Sequence, residues 1–264
     1  LALRYVMLGG EALDLRTLRP WFSRHGGETP RLVNMYGITE TTVIITYRPL
    51  RPADVDETRS LIGVPIPDLD LQVLDAGQQP VPEGTEGELW VGGAGVARGY
   101  LNRPQLTAER FVLAERLEAQ KPRDGAADED RRLYRTGDLV RRHPDGELEY
   151  LGRIDQQVKI DGHRIELGEI EAALRGLPEV SDAAVVVRRD DSRASLAAYI
   201  VPRTNAGLNL AELKERLRAQ LPDYLCPASL QAVPRIPLTQ NGKLDREALP
   251  PPVAAERSAI ATTW

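Results

Sequence analysis

At about residue 156 the pattern of the sequence changes, and this change constrains the fold more than any other feature. Ahead of it lie short apolar runs punctuated by turns. "LDLQVLD" (69–75) alternates with a period of two, and "GELWVGG" (87–93) follows a Pro/Glu/Gly turn. "DLVRRHPDGELEYLGRI" is two strands joined at Pro144-Asp145-Gly146. Behind residue 156, "QQVKIDGHRIE" reads as a small hairpin turning at Asp161-Gly162, and Leu167, Ile170, Leu174 and Leu177 then fall at helical spacing. "DAAVVVRR" and "SLAAYIVP" are two strands. Asn209 with Glu212 makes a capping-box pattern ahead of Leu210, Leu213, Leu217 and Leu221. The order helix–strand–strand–helix predicts a compact α+β unit. With 264 residues, and about 150 per domain, two units are expected.

The first part opens on a short buried strand, Arg4 to Leu8, followed by a helical stretch from Leu13 to Phe22 and a strand from Leu32 to Met35. Residues 62–96 read as an antiparallel sheet or barrel. The polar segment 117–132 reads as a solvated loop, with partner docking as the other reading. The tail from Pro250 opens on three prolines, which is linker chemistry. The sequence starts with Leu1 rather than Met, which reads as a start inside a larger polypeptide.

Several function classes are excluded. No apolar run approaches the roughly 20 residues that span a bilayer, and the first ten residues lack the flanks of a signal peptide. A net charge of −5 argues against a dedicated nucleic-acid binder. The single Cys226 forms no internal disulfide, so a reducing cytoplasmic compartment is the default. "GGAGVARG" (92–99) lacks the GxGxxG spacing, and there is no GxSxG, HExxH or GxxxxGK[ST]. His25, His143 and His163 are isolated and read as surface or structural.

Four stretches remain. "NMYGITETT" (34–42) sets hydroxyls and Glu40 beside a tight glycine turn, where they could hold a phosphate–magnesium unit; alone, a Thr-rich turn is the better reading. "YRTGDLV" (134–140) places Asp138 at the start of a strand, where a carboxylate can accept both ribose hydroxyls, and a turn aspartate is an equal reading. "GRIDQQVKIDGHRIELGEIE" (152–171) carries Arg153, Asp155, Lys159, Gly162 and Arg164. "PLTQNGKLDREAL" (237–249) puts Lys243 in an Asn-Gly turn. Lysine stands only at 121, 159, 214 and 243, so each is worth weighing.

In this order, and together with "GELWVGGAGVARGYLNRPQLTAERF", these motifs resemble the adenylate-forming superfamily. Within it they resemble the amino-acid adenylation domains of non-ribosomal peptide synthetases, over essentially the whole chain. Two departures stand out. Asp161 occupies a position usually basic and Ile38 one usually proline, and the family's upstream half, with its phosphate loop and ammonium-binding aspartate, is absent. The resemblance implies an α/β and α+β architecture: residues 1–154 as the end of the large subdomain with a barrel-like β-rich part, 155–250 as the small subdomain, and 251–264 as a linker into a carrier domain.

It also implies a two-step reaction: ATP activates an amino acid as its adenylate, and a carrier protein's phosphopantetheine thiol then takes the acyl group. An acyl- or aryl-CoA synthetase, or a fragment inert without its upstream half, are the alternatives. Carried over, Lys243 bridges carboxylate and phosphate, Thr39 contacts the α-phosphate, Arg153 the ribose or phosphate, and Glu40 the magnesium. Gly9, Gly10, Glu11, Asn34, Tyr36, Gly37, Asp138 and Tyr150 surround the nucleotide. Met7, Gly9, Met35, Val43 and Ile44 line an uncharged substrate pocket, and Asp155 is the hinge. The implied cofactors are ATP and Mg2+, and the implied partners are a carrier protein and an MbtH-like protein.

Overall fold

The structure, a computed structural model, describes residues 3–113, 132–155, 157–190, 193–204, 208–239 and 244–251. It divides into two compact units, Leu1–Asp155 and Gln156–Trp264.

Unit 1 contains strands β1 (Tyr5–Leu8), β2 (Arg31–Tyr36), β3 (Thr46–Pro49), β4 (Leu61–Pro65), β5 (Leu69–Leu74), β6 (Glu86–Gly93), β7 (Phe111–Leu113), β8 (Arg132–Arg142) and β9 (Leu148–Arg153). Two short helices, α1 (Arg19–His25) and α2 (Pro104–Arg110), interrupt them. Among the described residues all nine strands form one sheet in the order β1-β2-β3-β4-β9-β8-β6-β5, with β7 also on β8. Only β1 and β2 pair in parallel. The β-rich part is thus an open sheet rather than a closed barrel, with β1 and β5 at its two ends. Alternation along a strand reports which face is buried, and it carries no information on whether the end strands meet.

Two larger apolar cores, and a small one of Leu74, Trp90 and Leu133, form on this sheet. Leu15, Phe22, Leu32, Leu50 and Val55 pack beneath α1 together with Val6 and Leu8 of β1. Ile45, Ile62, Leu71, Val73, Leu89, Val91, Val140 and Leu148 form the other. The helix expected from Leu13 is a 3-10 turn at Leu15–Leu18, N-capped by the Asp14 side chain, and α1 begins only at Arg19 with Pro20 in its first turn.

Strand β8 overturns one local expectation. Asp138 sits in mid-strand, not at a strand start. The β6–β8 register jumps there: Glu88 lies opposite Leu139, but Trp90 lies opposite Arg135. Gly137, at φ +74°, forms the bulge. A Thr-Gly-Asp sequence looks like a break, yet only a bulge keeps both flanks paired and swings Asp138 onto Arg153 of β9.

Unit 2 opens on the hairpin β10 (Gln157–Ile160) and β11 (His163–Glu166). Its two-residue turn holds both Asp161 (φ 49°) and Gly162 (φ 77°) in the left-handed region. Aspartate enters that region more readily than most residues, which accounts physically for Asp161 in a usually basic position. Helix α3 (Leu167–Arg175), strands β12 (Val180–Asp190) and β13 (Arg193–Pro202), helix α4 (Leu210–Gln220) and strand β14 (Ser229–Ala232) follow. The Asn209 carboxamide oxygen accepts from the Glu212 amide at 3.2 Å, so Asn209 is the N-cap of α4. Leu167, Ile170, Leu174, Leu213 and Leu217 bury together against Val185, Ala198 and Ile200. The short β14 adds in parallel to β13. The segment after it is anchored too, because Leu249 is buried and the Tyr199 hydroxyl donates to the Pro250 carbonyl at 2.7 Å. The loop 117–132, save its last residue, and the tail 252–264 lie outside the described residues.

Candidate functional site

The densest polar cluster in unit 1 is built on Asp138, whose side chain is only 4% exposed. Arg153, directly opposite in the β8–β9 register, donates from Nη1 to Asp138 Oδ1 at 3.0 Å and to the Thr136 carbonyl at 2.8 Å. Tyr36, the last residue of β2, donates its hydroxyl to Asp138 Oδ2. Thr136 Oγ accepts from the Asp138 amide at 3.0 Å, fixing the backbone. Burial, and then the Asp138 charge, push the Tyr36 hydroxyl well above its usual range, so it stays a donor. The same two causes push Tyr150 up to about 12, and its ring centroid lies 6.2 Å from that of Tyr36. Burial alone would lower the Arg153 pKa, but Asp155 and Asp138 outweigh it and raise it, so the guanidinium stays charged.

The same guanidinium holds Asp155 in a two-pronged contact, Nε to Oδ1 at 2.8 Å and Nη2 to Oδ2 at 2.6 Å. Arg153, expected on ribose or phosphate, thus spends four donor contacts on Asp138, Asp155 and Thr136. A Cβ on Gly137 would lie 2.7 Å from Arg153 Nη2 and 3.0 Å from Asp155 Oδ2, on a backbone already at positive φ. Gly137→Ala is expected to lose about 1–2 kcal/mol from left-handed strain alone. Thermal unfolding reads this as a midpoint lower by about 2–8 °C, and an unchanged midpoint would remove Gly137 from the account.

The loop after β2 carries the second cluster. Gly37 allows β2 to leave the sheet: a Cβ there would lie 1.8 Å from the Val43 carbonyl oxygen. Thr39–Thr41 form a 3-10 turn, with Thr39 exposed and Glu40 buried. Glu40 Oε1 accepts from the Tyr100 hydroxyl at 2.7 Å and the Tyr134 hydroxyl at 3.0 Å. Burial, followed by the hydrogen bonds of its hydroxyl to Tyr134 at 3.0 Å and to Glu40, raises the Tyr100 pKa, which keeps it a donor. Thr42 and Val43 both hold positive φ, 61° and 75°, a strained pair for β-branched residues. Such strain accumulates where function dictates geometry.

Asn34, expected at the nucleotide, is buried and donates from Nδ2 to the Leu61 carbonyl at 3.0 Å. Gly9, Gly10 and Glu11 follow β1 and are exposed, and the end of β1 approaches β2 so closely that a Gly9 Cβ would lie 2.8 Å from the Met35 carbonyl oxygen. The β1–β2 register sets Met7, Gly9 and Met35 on one face. Met35 and Ile44 are half-buried, while Met7 is 64% and Val43 68% exposed. Lys243 lies outside the described residues.

Tyr100, Tyr134, Thr136, Gly137 and Arg110 join these clusters without having been singled out in the sequence. Tyr134, Thr136 and Gly137 lie inside "YRTGDLV", and Tyr100 and Arg110 inside "GELWVGGAGVARGYLNRPQLTAERF", which is the available signal. Elsewhere, a cleft of about 310 Å³ in unit 2 is lined by Glu179, Arg203, Asn209 and Arg216 among others and holds none of the expected residues. Arg216 pairs with Glu179 at 2.7 Å and Arg203 donates to the Pro178 and Val180 carbonyls, so its charges serve packing. No helix among the described residues is long and apolar enough to cross a membrane.

A family model described as AMP-binding enzyme matches residues 1–101, and one described as AMP-binding enzyme C-terminal domain matches residues 169–243. A dimodular nonribosomal peptide synthase of Bacillus subtilis is 52% identical over 256 residues, 96% of this chain and 10% of that protein. A plipastatin synthase of the same species is 48% identical over 96% of this chain and 9% of that protein. The solved structure of holo-PA1221, an NRPS protein containing adenylation and PCP domains bound to a vinylsulfonamide inhibitor, superposes with a TM-score of 0.76 at 33% identity. It covers 93% of this chain and 40% of that one. The chain thus spans about a tenth of the length of these two relatives. With both the N-terminal and the C-terminal family models matched in order, the chain belongs to the AMP-binding enzymes.

Proposed function

We propose that this chain forms part of an amino-acid adenylation domain. That domain would activate an amino acid with ATP and pass the acyl group to the phosphopantetheine thiol of a carrier protein. The observation that carries the reading is the buried Asp138 carboxylate, held between Arg153 and Tyr36 at the bulge of β8. A fixed, charged acceptor suits the two hydroxyls of a ribose, because an ionised carboxylate only accepts hydrogen bonds and each ribose hydroxyl can donate one. Near-half identity to nonribosomal peptide synthases supports it.

In the first step a substrate carboxylate oxygen would attack the α-phosphorus and the bond to pyrophosphate would break. In the second the carrier thiol would attack the acyl carbon and AMP would leave. Asp138 would orient the ribose, Tyr36 and Tyr150 would border the nucleotide, and Arg153 would act through Asp138. Thr39, which is exposed, and Lys243 would meet the phosphate and carboxylate oxygens, where negative charge develops. Magnesium, arriving with the nucleotide, would offset phosphate charge. Glu40, an oxygen donor oriented by Tyr100 and Tyr134, fits it, and no cluster of three or more metal-binding side chains exists among the described residues. One protein carboxylate plus phosphates is ordinary magnesium chemistry.

The residues proposed for the side-chain pocket, Met7, Gly9, Met35, Val43 and Ile44, are all uncharged, and an unpaired buried charge costs several kcal/mol. ATP–pyrophosphate exchange by the complete domain over a panel of amino acids tests both levels. We expect an uncharged aliphatic amino acid to turn over fastest, with a hydroxylated one such as threonine next. Fastest turnover with a charged amino acid would overturn the pocket assignment. Exchange with none of them, but acyl transfer to free coenzyme A, would overturn the peptide-synthetase reading in favour of a CoA ligase.

A further inference from the structure

Unit 1 ends at Asp155, and its last residues are tied down from three directions. The Ile154 amide donates to the Gly137 carbonyl at 2.9 Å, which fixes the backbone just before Asp155. Arg153 grips the Asp155 carboxylate with two nitrogens. A second guanidinium, that of Arg110 at the end of α2, reaches Asp155 Oδ2 at 3.4 Å from 45 residues earlier in the chain. The three side chains converge on Gly137, whose absent Cβ would lie 2.7 Å from Arg153 Nη2, 3.0 Å from Asp155 Oδ2 and 3.3 Å from Arg110 Nη1. Two arginines on one carboxylate exceed what charge neutralisation of Asp155 alone requires. Arg153 is shared with Asp138 as well, so Arg110 adds a second cation to a carboxylate whose first one is divided between two anions.

We propose that Arg110 is a positioning residue, which with Arg153 clamps the Asp155 side chain so that the first backbone torsion left free to turn is the one after its Cα. With Ile154 held by Gly137 and the carboxylate held by two arginines, rotation about the N–Cα bond of Asp155 would have to break one of these contacts. Rotation about the following bond breaks neither. This inference rests on the adenylation reading, in which Asp155 is the pivot between two half-reactions. A clamp of this kind confines the pivot to a single torsion and thereby defines where the following chain can go. Loss of Arg110 removes one of the contacts that hold the carboxylate, so the chain beyond samples more directions and the more demanding alignment, that with the carrier thiol, suffers first.

The test uses the complete domain with its carrier protein and the variants Arg110→Ala and Arg110→Lys. Pyrophosphate exchange and thioester loading are measured in parallel, and hydrogen exchange of the Ile154 amide is followed in the nucleotide-free protein. For a part-exposed ion pair, Arg110→Ala should lower the ratio of loading to exchange by about two- to five-fold and speed exchange of the Ile154 amide by a similar factor. Arg110→Lys, which keeps the charge without the planar fork, should recover part of both. An unchanged ratio, equal loss of both half-reactions, or an Ile154 amide as protected as in the parent would each overturn the clamp. If the parent domain shows no amino-acid-dependent pyrophosphate exchange, it is the adenylation reading that fails, and the Ile154 amide still decides the clamp by itself.

Discussion

Lys243→Ala in the complete domain is expected to slow amino-acid-dependent pyrophosphate exchange by about 10²–10³-fold, the usual cost of losing one group aimed at charge that develops in a transition state. Folding and ATP affinity should be nearly unchanged. The lysine itself lies outside the described residues, but the chain on either side of it is firmly held. Leu238 and Leu244 form an antiparallel bridge, and the Asp245 amide donates to the Pro237 carbonyl at 2.9 Å. Beyond them Leu249 packs with Val186, Ala197, Tyr199 and Val233, and the Pro250 carbonyl accepts from Tyr199. The described residues on either side of the lysine are thus positioned by unit 2 itself. Its loss should appear in kcat for adenylation and leave the thermal midpoint where it was. Comparable exchange rates in the parent and the variant would withdraw the catalytic assignment.

How far the sequence predicts this arrangement depends on the range of the contacts involved. The β10–β11 hairpin was legible because its turn is two residues long and both must tolerate positive φ, which Asp161 and Gly162 do. Helices α3 and α4 were legible because their leucines recur at helical spacing and Asn209 marks one start. Strand β8 was misjudged at its centre, since Gly137 signals a turn locally and becomes a bulge only through pairing on both sides. β14 is not legible because four alternating residues with one large apolar side chain are too short a run to mark a strand, and its described pairing is with β13 alone. The open sheet could not be told from a barrel, as strand order is set by contacts between distant segments. In the site, Glu40 and Asp138 stood out within short motifs. Their supports did not: Tyr100 and Tyr134 reach Glu40 from 60 and 94 residues away, and no spacing rule links them.

Asp138→Asn should damage the protein twice over, and the two effects can be separated. Asparagine keeps the size of the side chain and removes its charge, so Arg153, itself mostly buried, retains only Asp155 as counter-ion. Breaking a buried pair on one side costs about 3–5 kcal/mol, which for a unit of this size lowers the midpoint by roughly 6–20 °C. The nucleotide effect comes from acceptor capacity. An amide offers one oxygen where the carboxylate offers two, and its NH2 group would face the Tyr36 hydroxyl or a ribose hydroxyl that needs an acceptor. Replacing ATP by 2′-deoxy-ATP exposes that part alone. The parent should prefer ATP by about ten-fold or more in kcat/KM, the worth of one hydrogen bond to a charged group. Asp138→Asn should erase most of that preference. Tyr36→Phe, which spares the charge, serves as the control: it should keep most of both the stability and the preference for the 2′-hydroxyl. Equal discrimination in parent and Asp138→Asn, measured below the lowered midpoint, would mean that Asp138 is a structural counter-ion for Arg153 and that the ribose is held elsewhere.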